Sequence, residues 1–169
     1  MGKVKFVMDE VYEVTNPWMG YTGYLLRTRE DKLSENEHGS DSILVLDPEK
    51  RTGRLSDDIS ERVKIRRSWN APIKEGKRYI CVNFTAQGDM PARELKEAVW
   101  VRNGKLMVEK ARRLFPSFEP FCAVWHTFQV NENTYGEYTR PAHLHILMKK
   151  VKPRTTEAER MRIDRWNAN

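Results

Sequence analysis

Apolar and polar residues alternate in short bursts along this chain. Val4-Lys5-Phe6-Val7 and Val11-Tyr12-Glu13-Val14 repeat with period two, which puts every second side chain on one face of a strand. Asn16-Pro17-Trp18-Met19-Gly20 interrupts this pattern, and Tyr24-Leu25-Leu26-Arg27-Thr28 resumes an extended one. Glu30 to Ser42 is polar, charged and glycine-containing, and reads as a loop. Ile43-Leu44-Val45-Leu46-Asp47 predicts a short buried strand, Pro48 to Arg54 a turn, and Arg62-Val63-Lys64-Ile65-Arg66 a further strand with period two. Several short strands within so few residues point to a small barrel rather than an open sheet.

A boundary is expected at Trp69-Asn70-Ala71-Pro72, dividing the chain into 1–68 and 69–169. In the second part Arg78 to Phe84 predicts a strand, and Pro91 to Ala98 a short helix with proline in its first turn. Val99-Trp100-Val101-Arg102, Asn103-Gly104 and Lys105-Leu106-Met107-Val108 read as a hairpin, because Asn-Gly between apolar runs favours a type I′ turn. Glu109 to Leu114 adds a helical turn, and Phe121 to Val130 and His143 to Val151 are two more strands. Thr156-Glu157-Ala158-Glu159 fits a capping box, in which hydroxyl and carboxylate satisfy free amides at a helix start; the helix should run to about Trp166. The fold class is therefore α+β, mainly β: a small N-terminal barrel followed by a basic β-rich domain with a C-terminal helix.

The segment Val11 to Arg67 resembles a KOW-type SH3-like barrel, the module of NusG-like transcription factors and some ribosomal proteins. The resemblance is carried by Val14 and by Asn16-Pro17-Trp18-Met19-Gly20-Tyr21-Thr22-Gly23-Tyr24-Leu25-Leu26: a strand, a turn with an aromatic, Gly-x-x-Gly and a returning apolar strand. It implies that Gly20 and Gly23 serve a tight reversal. It also implies a binding module acting in transcription or nucleoid control. The general plan looks like that of phage-encoded transcription modulators with such a module beside a basic region.

Charge divides the chain further. Residues 1–61 carry a net −5 and residues 62–169 a net +11, which together give the overall +6. An acidic and a basic surface suggest different partners, since only the second attracts phosphate. No apolar run approaches the roughly 18–20 residues that span a bilayer. The N-terminus turns acidic too early for a signal peptide. Cys81 and Cys122 lie in apolar strand-like runs and are expected to be free, buried thiols of a cytoplasmic, nucleoid-associated protein.

The candidate nucleic-acid-binding residues are Arg62, Lys64, Arg66 and Arg67 with Trp69 beside them, Lys149, Lys150, Lys152 and Arg154, and Arg162 and Arg165 on the last helix. Lysine and arginine bind phosphate by releasing condensed counterions, and an adjacent tryptophan can stack on a base. The basic stretches Lys74-Lys77-Arg78 and Lys110-Arg112-Arg113 add to the same charge. Among the histidines, His143 and His145 are two apart on a strand and share a face, and His126 on the preceding strand could join them as a third metal ligand. Neither strand carries the His-x-Ser/Thr spacing of a paired-histidine phosphoesterase, and no glycine-rich phosphate loop, Ser/His/Asp order or Cys-x-x-Cys pair is present. The expectation is thus that these histidines are hydrogen-bonded strand residues that do not converge on a metal, with no cofactor and no catalysis. The function expected is non-catalytic binding of nucleic acid, DNA in preference to RNA, with a transcription-machinery or nucleoid protein as a further partner. Two alternatives stand beside it: an adaptor that docks on a polymerase or ribosome through its acidic barrel, and a metal-dependent phosphoesterase.

Overall fold

In a computed structural model of the chain, residues 5–14, 21–26, 28, 42–47, 49, 51–55, 59–73, 78–87, 96–131, 138–140 and 142–167 are described. The strands are β1 (Lys5–Val14), β2 (Ser42–Asp47), β3 (Arg51–Arg54), β4 (Tyr79–Gln87), β5 (Phe118–Asn131), β6 (Tyr138–Arg140) and β7 (His143–Lys150). The helices are α1 (Thr22–Leu26), α2 (Ile59–Asn70), α3 (Glu97–Leu114) and α4 (Glu157–Asn167). Six strands lie side by side in the order β1-β4-β7-β5-β2-β3, and β6 pairs with β5. Every neighbouring pair is antiparallel.

The α+β class is as expected, but the sheet is open, and among the described residues of 11–67 the strands close no small barrel. β1 and β2 do not pair with each other: β1 pairs with β4, and β2 pairs with β3 and β5. Strands from 1–68 and from 69–169 therefore share one sheet, and the expected boundary falls inside α2. Two segments of the expected barrel are helical. Tyr24 to Leu26 belongs to α1, together with Gly23, and Arg62 to Arg66 belongs to α2. Alternation over five residues is too short to separate the two periods. Over twelve residues, Ile65 and the buried Trp69 fall on the same side of a helix as Arg62. Gly20 and the segment Glu30–Asp41, expected as a loop, lie outside the described residues.

The largest departure is α3, which replaces the expected hairpin. Trp100, Gly104 and Ala111 are buried, and Val101, Met107, Val108 and Leu114 pack partly against the same core, so the apolar stripe runs straight through Asn103-Gly104. The Asn103 side chain donates to the Val99 carbonyl one turn back. Gly104 has no positive φ and lies where the helix crosses closest to the sheet.

Helices cover both faces of the sheet. On one face Leu46, Val82, Phe84, Trp125 and Ile146 pack under α3, and Ile163 of α4 joins them. On the other, Ile43, Val45, Cys81, Cys122, Val124 and Leu147 pack under Leu25 and Leu26 of α1 and Trp69 of α2. Cys81 and Cys122 are buried and form no disulfide, as expected. Among the described residues no helix is long and apolar enough to cross a membrane.

The capping box at α4 forms as expected. The Thr156 amide donates to Glu159 Oε1 at 2.7 Å, and the Glu159 amide donates to Thr156 Oγ1 at 3.1 Å. Glu159 also accepts from the Ser117 amide at 2.9 Å and the Ser117 hydroxyl at 2.6 Å, which ties the helix to the start of β5. Burial pushes its carboxyl up, but these hydrogen bonds outweigh that and hold it below the ordinary carboxylate range. A lowered folded-state pKa gives stability that is present above the unfolded value of about 4.3 and is lost as pH falls through the folded one. Glu159→Ala should cost about 2–4 kcal/mol at pH 7, from the lost cap and the stranded Ser117 amide. Urea midpoints at neutral pH and near pH 3 check this: the gap between wild type and variant should narrow in acid, and a gap that stays constant would refute it.

Candidate functional site

Two groupings of polar side chains stand out, one at an end of the sheet and one on its α1 face. The C-terminal end of β7, the N-terminal ends of β4 and β5, the C-terminal end of α3 and the start of α4 all meet at one end. The Lys150 amide bonds the Arg78 carbonyl, the Val151 and Lys152 amides bond the Ser117 carbonyl, and Arg162 Nη1 donates to the Leu114 carbonyl at 2.6 Å. Arg78, Arg112, Arg113, Lys152, Arg154 and Arg160 are exposed here, and Lys149, Lys150 and Arg162 are half-buried. Exposed acids among the described residues of this end include Glu13 near the end of β1, Glu119, Glu157 and Glu109, the last paired with Arg112 at 3.5 Å. Arg112 and Arg113 occupy the last turn of α3, where cations also complement the helix dipole.

The other expected binding residues divide. Lys64 and Arg67 are exposed on α2, and a hollow of about 410 Å³ is lined by Arg66, Arg67, Asn70 and Ala71. Arg66 Nη1 donates to Thr28 Oγ1 at 3.0 Å. Arg62 and Trp69 are corrections: both are buried, at 8% and 1% exposure. The Trp69 indole donates to Asp47 Oδ2 at 2.7 Å, so it anchors α2 to β2 and cannot stack on a base. Arg165 lies within α4, and its side chain is outside the described residues.

The second grouping lies on the sheet face beneath α1. His126 of β5 stands opposite His143 of β7, and His145 stands opposite Asn83 of β4. Directly opposed residues and residues two apart project to the same face, so the register brings all three imidazoles together. All three are buried, and one ring nitrogen from each lies within 4.8 Å of the others. The three histidines thus meet, which the sequence left open, in a group that could hold a metal ion. They are hydrogen-bonded strand residues as expected, but antiparallel pairing of β5 with β7 also sets them face to face.

The surroundings are polar in a graded way. His126 Nε2 lies 2.8 Å from the Leu25 carbonyl, one of the last carbonyls of α1, which have no partner inside so short a helix. His145 Nδ1 lies 2.9 Å from Asn83 Oδ1, and Asn83 Nδ2 donates to Glu10 Oε2 at 3.2 Å. The Tyr12 and Tyr21 hydroxyls are 3.0 Å apart, Tyr21 donates to Cys81 Sγ, and Cys81 donates to Asn83 Oδ1 at 3.1 Å. Burial pushes both phenols far up and the Cys81 thiol up to about 12, so this chain stays protonated at neutral pH. The ring of Tyr24 stands edge-on to His126 and His145.

Sequence reasoning missed Asn83, Glu10 and the Leu25 carbonyl. The available signal was an asparagine inside the apolar run Ile80-Cys81-Val82-Asn83-Phe84, since a buried amide needs partners. Comparison with protein-family models, curated proteins and solved structures finds no match.

Proposed function

We propose that the chain binds the phosphate backbone of nucleic acid, DNA in preference to RNA, through the basic end of its sheet. The observation carrying this reading is the meeting at that end of cations from separate stretches of sequence: Arg78, Arg112 and Arg113, Lys149 to Arg154, and Arg160 with Arg162. Such a cluster repels itself and favours a polyanion that neutralises it with release of counterions. Backbone contacts position a protein on a duplex without reading sequence, so weak sequence preference is part of the proposal. Trp69 and Arg62 take no part, and Lys64 and Arg67 on α2 would extend the surface. The link to transcription or nucleoid control rests on the KOW-type resemblance alone. Because α1 stands where that motif has its returning strand, the proposal stops at non-catalytic binding of the backbone.

Fluorescence anisotropy against a duplex DNA, a single-stranded DNA and an RNA, at salt from about 50 to 300 mM, tests it. Each phosphate contact contributes about −0.9 to the slope of log affinity against log salt on duplex DNA, so four or more contacts give about −4 or steeper. Binding that is absent at low salt, or a slope near zero, would overturn it.

A further inference from the structure

We infer that His126, His143 and His145 form a binding site for a single late first-row divalent cation of the zinc class. The inference is independent of the basic end, because it rests on side chains of the opposite character in a different part of the sheet.

The protonation pattern comes first. A carbonyl oxygen can only accept, so the 2.8 Å contact from His126 Nε2 to the Leu25 carbonyl puts the proton on Nε2 and leaves a lone pair on Nδ1. For His145, Asn83 Nδ2 is turned toward the Glu10 carboxylate, so Asn83 presents its oxygen to His145 Nδ1. The proton is then on Nδ1, and the lone pair is on Nε2. Two of the three rings are thus held by an outer hydrogen bond that leaves the lone pair on the other nitrogen, which in His126 faces His143 Nε2. That is how protein metal sites orient histidine ligands: a carbonyl for His126, and an amide backed by a carboxylate for His145.

The distances follow. Zinc–imidazole bonds of about 2.0–2.1 Å at a tetrahedral angle place two ligand nitrogens about 3.3–3.4 Å apart. His126 Nδ1 and His143 Nε2 are 3.2 Å apart, as such a pair requires, and the whole set lies within 4.8 Å, so the third imidazole must move in by up to roughly 1.4 Å to share one ion. The ring centroids are 4.7, 4.8 and 5.1 Å apart with planes inclined by 63–87°, so the three rings meet in edge-to-face contacts. Binding requires only that His143 give up any proton on Nε2, which its other nitrogen can carry.

The donor set selects the metal. Three neutral imidazoles suit zinc, copper, nickel and cobalt, whereas calcium and magnesium take oxygen ligands. Cys81, whose thiol donates to Asn83 Oδ1, lies 4.0 Å from His145 Nδ1, on the side of that ring away from the lone pair. Three imidazoles from two adjacent rigid strands leave a fourth position to be filled by water or another donor.

The test uses the full chain, stripped with a chelator and titrated with zinc chloride while metal content and thermal midpoint are read. The expected result is one zinc per chain, a raised midpoint, and no response to magnesium. Cobalt chloride should give the visible bands of a low-coordinate nitrogen site, and zinc-edge X-ray absorption should show three imidazoles. His143→Gln, which keeps a hydrogen-bonding side chain of similar reach, should lower zinc affinity by at least a hundred-fold. No retention of zinc or cobalt by the wild-type chain overturns the site. So does undiminished one-to-one binding by a folded His143→Gln chain. Should the variant not fold, the absorption spectrum of the wild type decides: fewer than two imidazoles on the metal overturns the assignment.

Discussion

Replacing Lys149, Lys150, Lys152 and Arg154 together with alanine should lower affinity for every duplex by a similar, large factor. If each of the four contacts one phosphate, the salt slope becomes shallower by about three to four units. At about 0.15 M salt the released counterions are then worth on the order of a hundred- to a thousand-fold in affinity. The fold should survive, because Lys152 and Arg154 are exposed and only the stems of Lys149 and Lys150 are partly covered. Lys150 takes part in the sheet through its backbone amide, which alanine retains. Arg112→Ala with Arg113→Ala should act in the same direction by a smaller amount, because Arg112 already shares its charge with Glu109. Unchanged binding and an unchanged slope in the fourfold variant would move the interface away from this end, to Lys64 and Arg67 on α2.

Gly104→Ala should destabilise the protein, against the direction set by helix propensity. In an open helical position alanine is better than glycine by about 0.8–1 kcal/mol. At position 104 a Cβ would stand 2.3 Å from Leu46 Cδ1 and 2.7 Å from Trp125 Nε1. Neither neighbour has free room: Leu46 and Trp125 are both buried, and the Trp125 indole donates to the Trp100 carbonyl at 3.0 Å. Overpacking of this kind costs typically 1–3 kcal/mol, and the helix can escape it only by lifting off β2 and β5. A net loss of about 1–3 kcal/mol is expected for alanine and more for valine. In a chain of this size each kcal/mol lowers the thermal midpoint by about 2–4 °C. A double-mutant cycle with Leu46→Ala identifies the cause, since removing the obstructing methyl should recover about 1 kcal/mol or more of the Gly104→Ala loss. A stabilising Gly104→Ala would refute the close crossing.

Much of the fold is written in local pattern. The runs expected as strands at Ile43–Asp47, Arg78–Phe84, Phe121–Val130 and His143–Val151 fall in β2, β4, β5 and β7, because short apolar or alternating runs rich in β-branched and aromatic residues fit a pleated, buried surface. The capping box of α4 forms from residues three apart, and no tertiary contact is needed to recognise it. Local pattern misled where two readings fit the same few residues. Asn103-Gly104 is a good hairpin turn in isolation, but here the glycine makes room for Leu46 and Trp125. Arg62 to Arg66 alternates like a strand, but Trp69 seven residues on needs the same face as Arg62 to reach Asp47.

The sites divide in the same way. That His143 and His145 share a face is determined by the two-residue repeat of a strand, and that the C-terminal half is basic is determined by composition. Tertiary structure alone decided that β5 lies beside β7 in the register that sets His126 against His143. It alone put β4 on the other side, so that Asn83 meets His145. It also decided which cations are usable, burying Arg62 and Trp69 while gathering Arg78, Arg112 and Lys152 from distant stretches. The physical reason is common to both: side-chain direction within an element follows from its own repeat, whereas which elements become neighbours follows from burying apolar surface over the whole sheet.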